Sequence, residues 1–547
     1  MGRGGMAATS QPLAVAAGLE TLRKRGNAAD AAVAMAAALN VTEPTSTGIG
    51  GDCFALFYDA RLWRVSALNG SGRAPVGLTL DRLRREGFGG GLPQFHPYTI
   101  TVPGACAGWC DLVERHGRLA MKDVLAPAIR LAEEGFPVAP VTAYFWGRGV
   151  ERQLRHALGG LELTIDSRAP RPGEVFRNPG LRRTLQAVAE GGKKAFYQGA
   201  IAESIAATVQ VAGGCLTVDD LAEHESAWEQ PIHTTYRGLR VWECPPNGQG
   251  LAALIGLNIL EGFDLASLAP LSAERLHLEI EAMRLAFADT SWYVADPAFN
   301  PAPLEALLSK DYAEERRRSI DPRSASRDMR RGAPTAASDT VYLSVVDGEG
   351  NACSFINSNY MGFGTGIVPA GWGFTLQNRG LDFNLEAGHP NALAPRKRPY
   401  HTIIPGMITR PASKIVDGGG GEDENDSVAS GKEELFASFG VMGGFMQPQG
   451  HLQVATALLD DGLDPQAALD RPRFCIQEGE TRGRVALEEG IDPQVVAELA
   501  RMGHPVERVS GYARGLFGRG QIILRQAESG VLWGGSDPRA DGCAMSL

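Results

Sequence analysis

Residues 340–356 read Thr-Val-Tyr-Leu-Ser-Val-Val-Asp-Gly-Glu-Gly-Asn-Ala-Cys-Ser-Phe-Ile. Thr340–Val346 and Ala352–Ile356 are strand-like, rich in β-branched and aromatic residues. The intervening Asp347-Gly-Glu-Gly-Asn351 is a turn sequence, so the stretch predicts a β-hairpin. Upstream, residues 318–339 are rich in Arg, Ser, Ala and Pro and have no period, which predicts an exposed loop running into Thr340.

Working outward, residues 11–41 predict a helical hairpin. Val15, Leu19 and Leu22 share one face, Arg25-Gly26-Asn27 ends the first helix, and Asn27 can cap an Ala-rich second one. Thr47-Gly-Ile-Gly-Gly-Asp52 turns into a strand at Cys53–Tyr58, and a further strand is expected at Tyr98–Val102. Helices are expected near 105–116, 122–134, 180–190, 198–212, 272–290 and 303–317, then near 450–460 and 491–502. Strands are expected at 403–409, 435–440 and 520–525. Helices mix with strands early and strands dominate late, the α+β pattern of helices covering antiparallel sheets.

Composition narrows the function. The chain has 547 residues and a net charge of −10, with no basic footprint for nucleic acid. Eight scattered cysteines without a CxxC read as free thiols in a reducing compartment. Ten histidines form no HxxxH or HExxH, so no metal centre is expected and no cofactor is called for. No signal peptide is evident, so the expected location is the cytoplasm. Residues 351–378 carry no charge over 28 positions, but their Asn, Gly and Pro content rules out a membrane helix. Residues 413–434 hold seven acids, two lysines and four consecutive glycines, and are expected to form a disordered surface insertion. Glycine, 68 of 547, stands well above its ~7% average.

Nucleotide and serine-hydrolase motifs fail. Gly362-x-Gly364-x-Gly366 lacks the third, more distant glycine of a dinucleotide loop. There is no GxSxG elbow and no P-loop. A lone threonine opening a strand is, on its chemistry alone, a structural residue.

A set of short motifs supplies what single residues do not. They are Gly26-Asn-Ala-Ala-Asp-Ala31, Gly48-Ile-Gly-Gly51, Val102-Pro-Gly104, Asp339-Thr-Val-Tyr-Leu-Ser-Val-Val-Asp347, Gly350-Asn-Ala352, Phe363-Gly-Thr-Gly-Ile367, Arg398-Pro399 and Gly443-Gly444. Gln466-Ala-Ala-Leu-Asp-Arg-Pro-Arg-Phe474, Gly503-His504 and Asp537-Pro-Arg539 follow in order. In this order and spacing the chain resembles the gamma-glutamyltransferase family of N-terminal nucleophile hydrolases over almost its whole length.

The resemblance implies a four-layer αββα sandwich and a precursor that cuts itself between Asp339 and Thr340. The pieces would be a large segment, 1–339, and a small one, 340–547, intertwined in one unit and able to pair into a dimer of heterodimers. Thr340 becomes the nucleophile. Its freed α-amine, with a pKa near 8, is the base that a peptide nitrogen cannot be. Gly443 and Gly444 match the oxyanion glycines, Ser358 stands where the family has a threonine hydroxyl, and Asp382 matches the carboxylate that holds a substrate ammonium. Asn359 and Tyr360 are carried with them as substrate-binding residues.

Three departures concern the acyl side. The family's carboxylate-binding arginine would fall near Thr79–Leu80, leaving Arg73 as a substitute. Its paired serines are replaced by His401-Thr402. Only 16 residues separate Asp382 from Pro399, too few for a lid. The resemblance is therefore to a lidless branch that includes cephalosporin- and glutaryl-type acylases and an oxamate amidohydrolase. The implied activity is hydrolysis-biased cleavage of γ-glutamyl amides such as glutathione, with another small acyl amide as the alternative and a non-catalytic scaffold as a third possibility. The partners implied are a small-molecule amide and the two halves of one precursor, with neither nucleic acid nor membrane.

Overall fold

A computed structural model describes residues 1–326, 340–412, 432–477 and 483–547. The hairpin lies at its centre. Val341–Asp347 pairs with Ala352–Ser358, and both belong to a seven-stranded antiparallel sheet. Its order is Cys543–Ser546, Gly5–Thr9, Val341–Asp347, Ala352–Ser358, Asp52–Asp59, Arg64–Gly70, Ala227–Glu229. A second antiparallel sheet of six runs Leu532–Ser536, Arg519–Arg525, Glu433–Met442, Gly406–Pro411, Leu239–Glu243, Ile232–Tyr236.

Side-chain alternation explains the layering. Along Asp52–Asp59, Phe54, Leu56 and Tyr58 enter the layer between the sheets, while Cys53, Ala55 and Phe57 face the other way. Along Val341–Asp347, Tyr342 and Val346 point inward and Val341, Leu343 and Val345 outward. Both faces are buried, so these strands read as continuous apolar runs. Helices Pro12–Arg23, Ala28–Thr42, Ala105–His116 and Met121–Glu134 pack on the outer face of the first sheet. Gly250–Leu260, Ala273–Tyr293 and Met446–Leu459 pack on that of the second. The result is the αββα sandwich.

Several expectations change in detail. Tyr98–Val102 is not a strand. Pro97–Thr99 is a 3-10 turn that the His96 ring caps by accepting from Tyr98 N, and Val102 N bonds to Arg73 O instead of to a ladder. The helix expected over 303–317 breaks into Leu304–Leu307 and Lys310–Arg317, because the Ser309 hydroxyl caps the second piece. Pro179–Tyr197 runs past 190 and kinks at Gly192. The acidic insertion ends early: Glu433 and Glu434 belong to the strand Glu433–Met442, where pairing with Gly406–Pro411 gives them partners. Its remainder, apart from Lys432, lies outside the described residues, as does Asp339. The eight cysteines are unpaired. Among the described residues no helix is long and apolar enough to cross a membrane.

Candidate active site

The hairpin register sets the site. Asn357 pairs with Val341, so Thr340 and Ser358 meet at the open end of the two strands. Thr340 Oγ1 lies 3.1 Å from Ser358 Oγ, and both residues are fully buried. Ser358 Oγ also accepts the Tyr360 N–H at 2.9 Å. The chain passes close by at Gly51, where a Cβ would fall 2.2 Å from the Ser358 carbonyl oxygen, so only glycine fits.

Beyond Ser358, Tyr360 adopts φ +80° and donates its hydroxyl to Asp382. Arg379 lies over the Tyr360 ring, its guanidinium 4.1 Å from the ring centre. Arg379 Nη1 donates to Asp382 Oδ2 at 3.1 Å and to Thr402 Oγ1 at 2.7 Å. Burial raises the Asp382 carboxyl to about 6, against the opposing pull of Arg379 and the Tyr360 hydroxyl. Arg379 is fully buried, yet its Nε and Nη2 meet no acceptor among the described residues. Those two nitrogens form the side-on edge of the guanidinium, the edge that grips a carboxylate with two parallel hydrogen bonds.

His401 is placed differently from a substrate contact. Its Nε2 donates to Asp52 Oδ2 at 3.0 Å, and its Nδ1 accepts from Ile403 N. Burial pushes its pKa down to about 3, helped by Arg379, so the ring is neutral at pH 7. Asp52 Oδ1 in turn accepts from Gly72 N, Gly104 N and Gln377 Nε2, tying three turns together. Asn359 uses its Nδ2 on Thr375 Oγ1, leaving its Oδ1 buried without a partner among the described residues. Arg73 is half-buried and has no side-chain hydrogen bond or ion pair among the described residues. Its charge acts on His224, Glu229 and Arg398. The structure thus joins Thr340, Ser358 and Tyr360 through the Ser358 hydroxyl, and Tyr360, Asp382 and Thr402 around Arg379, and gives Arg73 no contact with that group among the described residues.

Gly443 and Gly444 link the strand Glu433–Met442 to the helix Met446–Leu459 at φ +132° and +59°. Neither N–H donates to a hydrogen bond among the described residues. Gln249 Nε2 holds the Gly444 carbonyl at 2.9 Å and the Thr402 carbonyl at 2.6 Å, which fixes the glycine turn against the Thr402 segment. Gln249 and Arg379 carry no sequence motif of their own. Arg379 had one signal: it is the first charge after the uncharged run 351–378.

Next to Gly443 opens a cavity of about 280 Å³, also lined by Thr45, Met361, Gly362 and Phe363. One cluster of metal-ligand type occurs among the described residues, His277, Glu281 and His504. His277 Nε2 donates to Asp321 O, and its Nδ1 faces His504 Nε2 at hydrogen-bond distance, 2.8 Å. The Arg284 cation stands 3.9 Å from Glu281. A guanidinium there opposes a dication, so the cluster reads as a histidine pair anchoring the chain at Asp321.

Comparison with known proteins agrees with this architecture. The profile of the family described as gamma-glutamyltranspeptidase matches residues 14–547. A glutathione hydrolase-like YwrD proenzyme of Bacillus subtilis is 36% identical over 98% of this chain and 97% of its own. An oxamate amidohydrolase proenzyme of Klebsiella pneumoniae is 33% identical over 99% and 98%. The crystal structure of a cephalosporin acylase from Bacillus halodurans superposes with a TM-score of 0.89 at 44% identity, covering 100% of this chain and 96% of that one. The fold is therefore that of the N-terminal nucleophile hydrolases, enzymes of amide cleavage and acyl transfer. Within that class the chain belongs to the gamma-glutamyltranspeptidase family.

Proposed function

We propose that this chain is a precursor that cuts itself before Thr340 and then hydrolyses small acyl amides, γ-glutamyl amides first among them. The observation that carries the reading is the buried Thr340 hydroxyl 3.1 Å from Ser358 Oγ, at the open end of an inner strand. Hydrolysis of the 339–340 peptide bond releases a carboxylate on residue 339 and an amine on Thr340. That amine takes the proton from Oγ1 as Oγ1 attacks the substrate carbonyl carbon, then passes it to the leaving nitrogen as the C–N bond breaks. Water attacks the resulting ester, freeing the acid and restoring the hydroxyl. The unpaired N–H groups at Gly443 and Gly444 suit the oxyanion, each such donor contributing about 3 kcal/mol. In the single chain Thr340 and Arg379 are shut off from solvent, which fits a site that opens only on cutting. The direct test is a denaturing gel of purified protein with a γ-glutamyl-anilide assay. Bands of about 36 and 22 kDa, sharing 58.2 kDa by residue count, with turnover support it; one uncut active band refutes it.

A second reading concerns the acyl group. Asp382, matched to an ammonium-binding carboxylate, is already held by Arg379 and the Tyr360 hydroxyl. The free side-on edge of Arg379 suits a carboxylate instead, which favours glutaryl- or oxalyl-type acyl groups. The pH dependence follows. Above pH 6 Asp382 is charged and offsets Arg379; below it the proton removes that offset. KM for a glutaryl anilide is therefore expected to fall as pH drops from 7 to 5, and the Asp382→Asn variant is expected to lose that trend. A flat KM in the parent protein refutes it.

The segment after Asp382 bears on the fate of the acyl-enzyme. It folds on itself, with Asn391 Nδ2 donating to Asp382 O at 2.7 Å and Asn391 Oδ1 accepting from Tyr400 N. It is too short to cover the site, so water competes well for the ester. Glutamate release is expected to exceed dipeptide transfer product at modest acceptor concentration; mostly transfer product sinks the idea.

A further inference from the structure

The cavity beside Gly443 contains charge that the reaction above does not use. Its lining includes Phe95, Phe145, Tyr512 and Leu516 and two arginines, Arg148 and Arg152, with no acidic residue. The arginines stand four apart on the helix Pro140–Arg152 and so share a face. Both are exposed, and neither has a hydrogen bond or ion pair among the described residues. Arg152 lies 6.0 Å from the Phe95 ring centre. A cation suits the end of a helix, which accounts for Arg152; Arg148, a turn earlier, has no such reason. Two like charges at this spacing repel each other, and the neighbouring Glu151 is paired with Arg155 rather than with either of them.

Their position relative to the site is fixed. Gln153 Nε2, one residue past the helix, donates to Met361 O at 2.7 Å and to Gly364 O at 2.6 Å. Gly149 lies directly on Phe363: a Cβ there would fall 2.4 Å from the ring. The helix is thus fastened to the loop that follows Tyr360. Tyr144, one turn before Arg148 on the same helix, stacks on Tyr512 at 4.4 Å, and the turn Gly511–Phe517 leads to Gly518, against Gly443.

We propose that this cleft binds the leaving amine of the substrate, and that Arg148 and Arg152 select amines bearing a carboxylate on an apolar or aromatic body. The inference rests on the Thr340 reading. With the carbonyl oxygen at Gly443 and the acyl group toward Arg379, the remaining direction is the open cleft. The amine departs first, so its side must be the one open to solvent. Aromatic walls take its body, and paired guanidinium groups take its anion.

The test compares two anilides with the same acyl group, a 4-nitroanilide and a 3-carboxy-4-nitroanilide, prepared as both glutaryl and γ-glutamyl forms. The processed protein is expected to favour the carboxylated anilide in kcat/KM by about tenfold, mainly through KM, with the preference shrinking as salt rises. Arg148→Gln with Arg152→Gln is expected to bring that ratio near one. No preference, or a preference the double variant keeps, overturns the proposal. Should no anilide be cleaved, the Thr340 reading fails separately, and binding decides the cleft. Calorimetric titration of the intact chain with 5-amino-2-nitrobenzoate and with 4-nitroaniline is expected to show tighter binding of the acid, lost in the double variant. Equal binding of the two overturns the proposal.

Discussion

Replacing Thr340 by alanine is expected to leave one uncut chain of 58.2 kDa and to lower amide hydrolysis by at least about 10³-fold. The proposal gives this one side chain two tasks. Its hydroxyl is required to break the 339–340 bond, and breaking that bond creates the amine that later serves as base. Alanine removes the first, so the second never arises. The fold should survive, because the loss is one hydroxyl and one methyl at a strand end whose ladder starts at Val341. A thermal midpoint within a few degrees of the parent's would show that. Thr340→Ser keeps an oxygen in place and is expected to cut itself and retain turnover, more slowly. An alanine variant that still cuts and turns over places the nucleophile elsewhere. An alanine variant that cuts but is inactive separates the two tasks and assigns the cut to another group.

How much of this was legible in the sequence depends on where each signal lived. The hairpin was local: β-branched runs around Asp347–Asn351 fold as read, because each strand finds its partner in the next few residues. The cap at Asn27 was local too. Its Oδ1 accepts from Ala29 N and Asp30 N, and Asp30 returns a bond to Asn27 N. The strand Gly5–Thr9 was not legible, since Gly-Met-Ala-Ala-Thr has no alternation and becomes a strand only between Val341–Asp347 and Cys543–Ser546. Tyr98–Val102 erred in the other direction. Its residues favour a strand, but among the described residues its one backbone bond to a distant segment is Val102 N to Arg73 O. Thr340 carries no chemistry visible in isolation, and only the motif set around it drew attention to it. Part of the glycine surplus now has a location, at Gly51 against Ser358 and at the Gly443–Gly444 turn. Arg379 is not legible as a site residue, since a charge in a glycine-containing turn usually faces water. Its burial depends on Tyr360, Asp382 and Thr402 meeting in space.

The Arg379→Met variant is expected to lower kcat/KM for a glutaryl anilide by about 50-fold, in the range of one charge-assisted bidentate contact. A butyryl anilide has no terminal carboxylate and serves as the internal control, so the quantity to read is the glutaryl-to-butyryl ratio. The γ-glutamyl anilide should respond less. Methionine frees Asp382 from its ion pair, and the freed carboxylate can then meet the substrate ammonium, offsetting part of the loss. The order of preference between glutaryl and γ-glutamyl amides is therefore expected to shift toward γ-glutamyl. Breaking a buried pair leaves Asp382 unpaired at a cost of about 3–5 kcal/mol, enough to threaten folding. Arg379→Met combined with Asp382→Asn removes both charges together and avoids that cost. The double variant should fold, lose the glutaryl preference and gain nothing for γ-glutamyl. If it keeps the glutaryl-to-butyryl ratio of the parent, the unpaired edge of Arg379 is not what reads the acyl group, and the reading returns to γ-glutamyl amides held by Asp382.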